Sequence, residues 1–341
     1  MAAWIYIIGI ALCGIALGLK AGSGLTRRHF YLLCAGMICI SLGALPVFLA
    51  LLLVLVPLAF WIIRGVVPVP DSAAAAGQIL ADDSIARLVE ICPKMDVDVL
   101  IMLPTWNESE CIAGMLRNVP REVAGQRCGI LVVDDASTDR TAAIVREHGT
   151  PLVVKEHNLG IGNSNKTGMA IAARQGIPWL VTMDADGQHR YEDLGTLLAP
   201  LLNDEADLVI GSRNLGRWQY ADSARKNGVA FFNFVLRFLT GYRTTDCTSG
   251  FRAFRVDRAR SLEMQVGRHY SSDMIMEALR RGLRLSEVPV AMNARSAGQT
   301  KQGSNLAYGL RYARTMLRSW WRHSGLPSVP EASRPGKQPA A

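Results

Sequence analysis

The octapeptide Thr182-Met-Asp-Ala-Asp-Gly-Gln-His189 follows directly on the apolar run Ile177-Pro-Trp-Leu-Val181. Side chains alternate between the faces of a strand, so Asp184 and Asp186, two residues apart, point the same way. Two carboxylates on one face repel each other unless a cation lies between them. Gly187 permits a tight turn, and Gln188 adds a neutral oxygen one step further on. Hard oxygen ligands at a strand end suit Mg²⁺ or Mn²⁺, ions that work beside substrate phosphates. An Asp-x-Asp-Gly segment taken alone is also a common solvated turn. What surrounds it decides between the two.

Three further polar clusters close apolar runs. Leu103-Pro-Thr-Trp-Asn-Glu108 is the first, and Val132-Val-Asp-Asp-Ala-Ser-Thr-Asp139 the second. A carboxylate there can hold a ribose or a base edge, while Ser137 or Thr138 can cap the following helix. Asp135, at the turn, is the better ligand candidate, and Asp134 and Asp139 read as structural. The third, Asn158-Leu-Gly-Ile-Gly-Asn-Ser-Asn-Lys-Thr-Gly168, is a glycine-bearing loop opening a helix, without the Walker spacing.

The elements that must position these clusters alternate. Val97 to Leu103, Gly129 to Val133, Pro151 to Lys155, Trp179 to Met183 and Asp207 to Gly211 read as short buried strands. Helices are expected over Ser109 to Leu116, Thr138 to His148, Lys166 to Gln175 and Tyr191 to Leu202. Alternating strands and helices imply an α/β domain, its mostly parallel sheet covered on both faces. Ligands in such sheets bind beyond the carboxyl ends of the strands, where the polar clusters fall.

Outside that domain the chain changes character. Residues 1–65 carry no Asp or Glu and include two apolar runs, Ala2 to Leu19 and Phe30 to Ile63. The first is short for a span but is read as a retained one, because no charged segment precedes it as in a cleaved signal peptide and a second, longer run follows. The second either folds back near Gly43 to Pro46, making three spans in all, or extends past the membrane as one long helix, making two. Three spans place Lys20, Arg27, Arg28 and Arg64 on the cytoplasmic side with the rest of the chain, and are preferred. Residues 66–96 are a connector, with a short helix expected over Asp83 to Ile91. Seven scattered cysteines without a Cys-x-x-Cys pair fit a reducing cytosol. The net charge of +8 comes with no nucleic-acid motif, so anionic lipid is the better partner. Residues 304–324 place Leu306, Leu310, Ala313, Leu317 and Trp320 on one side and Arg311, Arg314, Arg318 and Arg322 beside it. That pattern reads as a membrane-surface helix, the competing reading being a helix docked on the domain. Residues 325–341 are rich in proline and small polar residues, the composition of a disordered tail.

The order of the motifs resembles glycosyltransferase family 2. Within it, Asp246-Cys-Thr-Ser-Gly-Phe-Arg252 and Glu287-Val-Pro-Val with Arg295, Gly298 and Lys301 are similar to the polyprenyl-phosphate hexose synthases of the dolichol-phosphate type. The resemblance covers Asp98 to Lys301 and implies a GT-A fold over residues 97–303. It also implies transfer of a hexose from a nucleotide sugar to a polyprenyl phosphate. By the same resemblance Asp184, Asp186 and Gln188 would hold the divalent metal, Mg²⁺ or Mn²⁺. Pro104, Asn107, Glu108, Asp135, Lys166 and Asp184 would hold the nucleotide sugar. Arg213, Arg225, Arg252, Arg295 and Lys301 would receive the acceptor phosphate, arginine suiting this because its fork binds phosphate oxygens bidentately. Asp186, Arg213 and Arg295 would act directly on the reaction. A phosphate monoester is largely dianionic near neutral pH and already nucleophilic, so no strong base is demanded. A base role for Asp186 or Glu277 stays open.

Trp106 stands where the family has Tyr, and Asn163-Ser164 replaces a small pair. The spans precede the catalytic domain rather than follow it. A processive polysaccharide synthase would need Gln-x-x-Arg-Trp after the catalytic region, and here Asn214 stands in for Gln and precedes Asp246. A hydroxyl-directed glycosyltransferase would lack the Ser-Gly-Phe-Arg and Arg-x-x-Gly-x-x-Lys pair. In an inactive scaffold for lipid-linked sugars, clustered carboxylates would be retained at a cost without a cation.

Overall fold

The computed structural model describes residues 83–218, 223–263 and 270–294, with 312, 313, 315–317, 319 and 320 of a final helix. The expected spans, the tail, Arg295 and Lys301 lie outside the described residues. Among the described residues no helix is long and apolar enough to cross a membrane.

Strands β1 (Val99–Thr105), β3 (Gln126–Asp134), β4 (Leu152–Val154) and β5 (Trp179–Thr182) run parallel, with β1 between β3 and β5. The hairpin strand β2 (Glu122–Val123) pairs antiparallel with β3. Beyond β5 the order continues through β7 (Arg252–Arg255), β6 (Leu208–Trp218) and β8 (Leu285–Met292). β7 lies antiparallel to both β5 and β6, while β6 and β8 are parallel. The sheet is therefore mixed, with one reversed strand at its centre.

Both faces are covered, which is why the strands read as continuous apolar runs. In β1, Leu100 and Met102 face a core shared with Leu131, Val133, Ile171, Leu180 and Phe254. Val99, Ile101 and Leu103 face a second core with Val132, Val181, Val209 and Phe251. Helix α1 (residues 83–91) and α4 (Ile161–Gln175) cover the first face. α2 (Ile112–Arg117), α3 (Thr141–Glu147) and α5 (Leu194–Leu202) cover the second.

α4 begins five residues earlier than the sequence pattern suggests, so Gly162 to Gly168 are helix rather than loop. A Cβ on Gly168 would sit 2.8 Å from Met102 Cγ, so this glycine lets the helix approach β1 closely. A third core joins α6 (Ser223–Thr240) and α8 (Tyr270–Arg280), with the four-residue helix α7 (Val256–Ala259) lying beside the first core. The final helix docks there too: Tyr312, Met316, Ser319 and Trp320 are buried, and the Tyr312 ring lies 4.5 Å from that of Phe232 on α6. The described residues of the 304–324 segment thus present this side to the third core.

Candidate active site

The polar segments converge at one edge of the sheet, beyond the carboxyl ends of β1, β3, β4 and β5. The first two are stitched to each other. Asn107 and Ala136 adopt left-handed backbone with φ of 54° and 59°. The Asn107 amide N–H donates to Ser137 Oγ at 2.9 Å, and its side-chain oxygen accepts from Thr138 N at 2.8 Å. Glu108 N donates to Thr141 Oγ1 at 2.9 Å, and Ser109 N to Asp139 Oδ2 at 3.1 Å. Pro104, Asn107 and Glu108 are half-buried, and Asn107 here ties loops together.

Asp134 and Asp139 take the structural parts expected of them. Burial pushes the Asp134 carboxyl above its ordinary value, although Ser137 donates to it. Burial also acts on Asp139, but donors from Thr141 and Ser109 outweigh it and hold the carboxyl below its usual range.

Asp135 is tied more tightly than the sequence suggests. Lys155 Nζ donates to its Oδ1 at 2.9 Å, and both side chains are buried. The backbone N–H groups of Leu159 and Gly160 donate to it at 3.0 and 2.7 Å, closing the glycine loop over the carboxylate. With its amide oriented to satisfy both neighbours, Asn158 donates to Asp135 Oδ2 at 3.2 Å and accepts from Trp106 Nε1 at 3.0 Å. The Trp106 indole is thus anchored through Asn158 to Asp135. Lys155 also donates to Ser164 Oγ at 2.8 Å, which explains the serine in the first turn of α4. Lys166 is half-buried on the same helix. Lys155 is the residue sequence reasoning missed; its only signal was a lone lysine closing an apolar run beside a carboxylate motif.

The Asp-x-Asp segment leaves β5 and pairs with the end of β8. Asn293 N donates to Gln188 O at 2.9 Å, and Gln188 Nε2 donates to Asn293 O at 3.1 Å. The Asp186 carboxylate accepts from Gln188 N at 3.1 Å and is buried, whereas the Asp184 side chain keeps 36% of its surface exposed. His189 Nε2 stands 3.7 Å from Asp184 Oδ2, and its ring stacks on Phe251 at 4.8 Å. Behind Asp184 lies Gly250, where a Cβ would meet both carboxylate oxygens at 3.0 Å. The space kept for Asp184 fits a carboxylate held ready for a ligand. Among the described residues no three His, Cys, Asp or Glu side chains gather as a closed metal cage. Two carboxylates and an amide oxygen on one turn suit an ion that completes its shell with water and substrate phosphate.

The arginines divide into distinct roles. Arg213, at the bend of β6, is buried and bound by its fork to Asp246, with Nε at 2.6 Å and Nη2 at 2.7 Å. Nη2 also donates to Thr248 Oγ1 at 2.6 Å, and the Trp218 ring covers the guanidinium at 4.4 Å. Burial alone would push the Asp246 carboxyl up, but Arg213 outweighs it and holds the group below its ordinary value. Arg225 is half-buried near the start of α6. Arg252 corrects the expectation of an acceptor ligand. It is fully buried, and its nitrogens donate to the carbonyls of Ser249, Ser271 and Cys247 at 2.9, 2.9 and 3.1 Å. Its job is to hold the 247–251 turn against α8. Glu277, the other candidate base, is fully buried and receives Arg280 Nε at 2.8 Å together with Arg281.

Residues 100–262 match the family described as Glycosyl transferase family 2. An undecaprenyl-phosphate mannosyltransferase of Micrococcus luteus is 34% identical over 61% of this chain and 88% of its own. The chain belongs to glycosyltransferase family 2. It is a glycosyltransferase. A polyprenol monophosphomannose synthase of Mycolicibacterium smegmatis is 31% identical over 61% of this chain and 82% of its own. Among solved structures, glucosyl-3-phosphoglycerate synthase of Mycobacterium tuberculosis in complex with Mn²⁺, UDP and phosphoglyceric acid aligns with a TM-score of 0.53. That alignment covers 71% of this chain and 83% of the other at 20% identity, a likeness of fold. The GT-A-like α/β architecture expected from the motifs is the one observed.

Proposed function

We propose that this family 2 enzyme moves a hexose from a nucleotide-diphosphate sugar to a polyprenyl phosphate, with inversion at the anomeric carbon. It would work on the cytoplasmic face of the membrane that its N-terminal apolar runs enter. The observation that carries the reading is the Asp-x-Asp turn at the end of β5: Asp184 is partly exposed and backed by Gly250, beside the nucleotide-type loops of β1, β3 and β4. The named activities of the Micrococcus and Mycolicibacterium relatives support the acceptor.

Asp184, Asp186 and the Gln188 side-chain oxygen would hold Mg²⁺ or Mn²⁺, which when bound neutralises charge on the leaving diphosphate. The neighbour that binds Mn²⁺ with UDP supports this assignment. Asp135, fixed by Lys155 and the loop amides, sets the shape of the nucleotide pocket, with Trp106 anchored beside it. The acceptor phosphate brings its own negative charge and needs no base, so the protein's work is to align it with the sugar. Arg213 is preorganised for that by Asp246 and Trp218, its geometry set before any ligand arrives. Arg225, Arg295 and Lys301 are the further cations proposed for the acceptor side.

The test is transfer of radiolabel from a panel of nucleotide sugars to undecaprenyl or dolichyl phosphate in membranes, with and without EDTA. A lipid-extractable, EDTA-sensitive product is expected. No such product from any donor would overturn the reading, and full activity in Asp186→Asn would overturn the metal assignment.

A further inference from the structure

The Glu287-Val-Pro-Val run lies within β8, where Glu287 sits opposite Ile210 of β6. Its carboxylate is half-buried, and among the described residues it receives only neutral donors, all from one short segment. One oxygen accepts from Thr244 Oγ1; the other accepts from Thr245 N at 2.7 Å and from Thr245 Oγ1. The Thr245 hydroxyl proton is thereby committed, so Ser212 must donate in the 2.6 Å contact between Ser212 Oγ and Thr245 Oγ1. Ser212 is fully buried, and its Oγ accepts in turn from Leu215 N at 3.3 Å. The chain from Leu215 through Ser212 and Thr245 is polarised in one direction and ends on Glu287. The Thr245 carbonyl is taken too, by Asn214 Nδ2 and Asn233 Nδ2, each at 2.6 Å. Every polar group of Thr245 is therefore tied.

Residues 242–246 belong to no helix or strand, so side chains must hold their backbone. Placing a carboxylate in a half-buried strand costs desolvation, which here is offset by the bonds to Thr244 and Thr245. What those bonds fix is the next residue. Asp246 is fully buried, and its two oxygens hold the Arg213 fork at 2.6 and 2.7 Å. We propose that Glu287 is a positioning residue for the acceptor side, setting Thr244 and Thr245 so that Asp246 aims the Arg213 guanidinium. It acts through this turn and not on the reacting atoms. That the ligand of Arg213 is a polyprenyl phosphate rests on the reading above; the hold on the turn does not.

Two variants separate this role from general stability. In Glu287→Leu the donors of Thr244 and Thr245 are stranded. In Glu287→Gln the oxygen facing Thr245 is kept, and the new amide N–H faces Thr244 Oγ1, which can accept it. With the full chain in nanodiscs, Glu287→Leu is expected to raise KM for polyprenyl phosphate by about tenfold, the weight of one lost bond to a charged group. KM for the nucleotide sugar should stay unchanged, and Glu287→Gln should recover most of the loss. Equal rises in both KM values, no rise in Glu287→Leu, or no rescue by Glu287→Gln overturns the role. Hydrogen–deuterium exchange of the 242–249 amides reads the turn directly. Faster exchange confined to this segment is expected in Glu287→Leu, and unchanged exchange overturns the hold. Where Glu287→Leu does not fold, Thr245→Val, which removes only the hydroxyl link, takes its place in both measurements with the same expected direction. If the unsubstituted protein glycosylates no polyprenyl phosphate, the acceptor reading fails, while the exchange experiment still decides whether Glu287 holds the turn.

Discussion

Lys155 Nζ lies 2.9 Å from Asp135 Oδ1, and the two side chains are 1% and 6% exposed. Burial pulls the Lys155 ammonium below its ordinary value, with Asp135 opposing that shift. Breaking a buried pair from one side leaves an uncompensated charge, at a cost of about 3–5 kcal/mol. Lys155→Met is expected to lose stability of that order and to weaken binding of a nucleoside diphosphate. The paired substitution Lys155→Met with Asp135→Leu should recover stability but not binding. Denaturant unfolding and calorimetric titration of the nucleotide check the two halves separately.

Gly250 separates metal binding from folding. Its backbone is outside the left-handed region, so alanine is tolerated by the chain itself. The added Cβ would meet both Asp184 oxygens at 3.0 Å and displace the carboxylate by a few tenths of an ångström. Gly250→Ala is expected to raise the Mg²⁺ or Mn²⁺ concentration for half-maximal activity by about tenfold while leaving the unfolding midpoint within a few degrees. An unchanged metal requirement would contradict the place given to Asp184.

The Arg213–Asp246 pair makes a pH prediction. Arg213 holds the Asp246 carboxyl below the ordinary 3.8 despite burial, so the folded state takes up that proton less readily than the unfolded chain. Its stabilising contribution is therefore complete above that ordinary value and lost as pH falls through the lower folded one. Asp246→Asn should cost about 3–5 kcal/mol at neutral pH and show a shallower acid limb than the parent. Unfolding free energies measured from pH 7 down to the acid transition test both.

Arg252 separates structural from acceptor roles. Its nitrogens are occupied by carbonyls of the 247–251 turn and α8, so Arg252→Met strands buried acceptors. Each stranded acceptor costs about 1–3 kcal/mol, and the thermal midpoint should fall accordingly. In the protein that remains folded, KM for the acceptor should be unchanged. A selective rise in acceptor KM would restore Arg252 to the phosphate site.

The motif order, the α/β alternation and the positions of the strand ends were legible because both faces of the sheet are buried. Runs such as Val99 to Leu103 must then be apolar throughout, and polar residues accumulate only where they stop. The sequence by itself thus determined the family, the strand ends where polar residues gather, and the place of the Asp184-x-Asp186 segment after β5. The tertiary structure decided which charges are already spent. Lys155 meets Asp135 across 20 positions, Arg213 meets Asp246 across 33, and Arg252 turns inward to carbonyls. It also decided the reversal of β7, whose four residues carry no alternating pattern of their own. The physical reason is that a side chain's charge type is local. Its availability depends on burial and on partners that only the fold brings within hydrogen-bond reach.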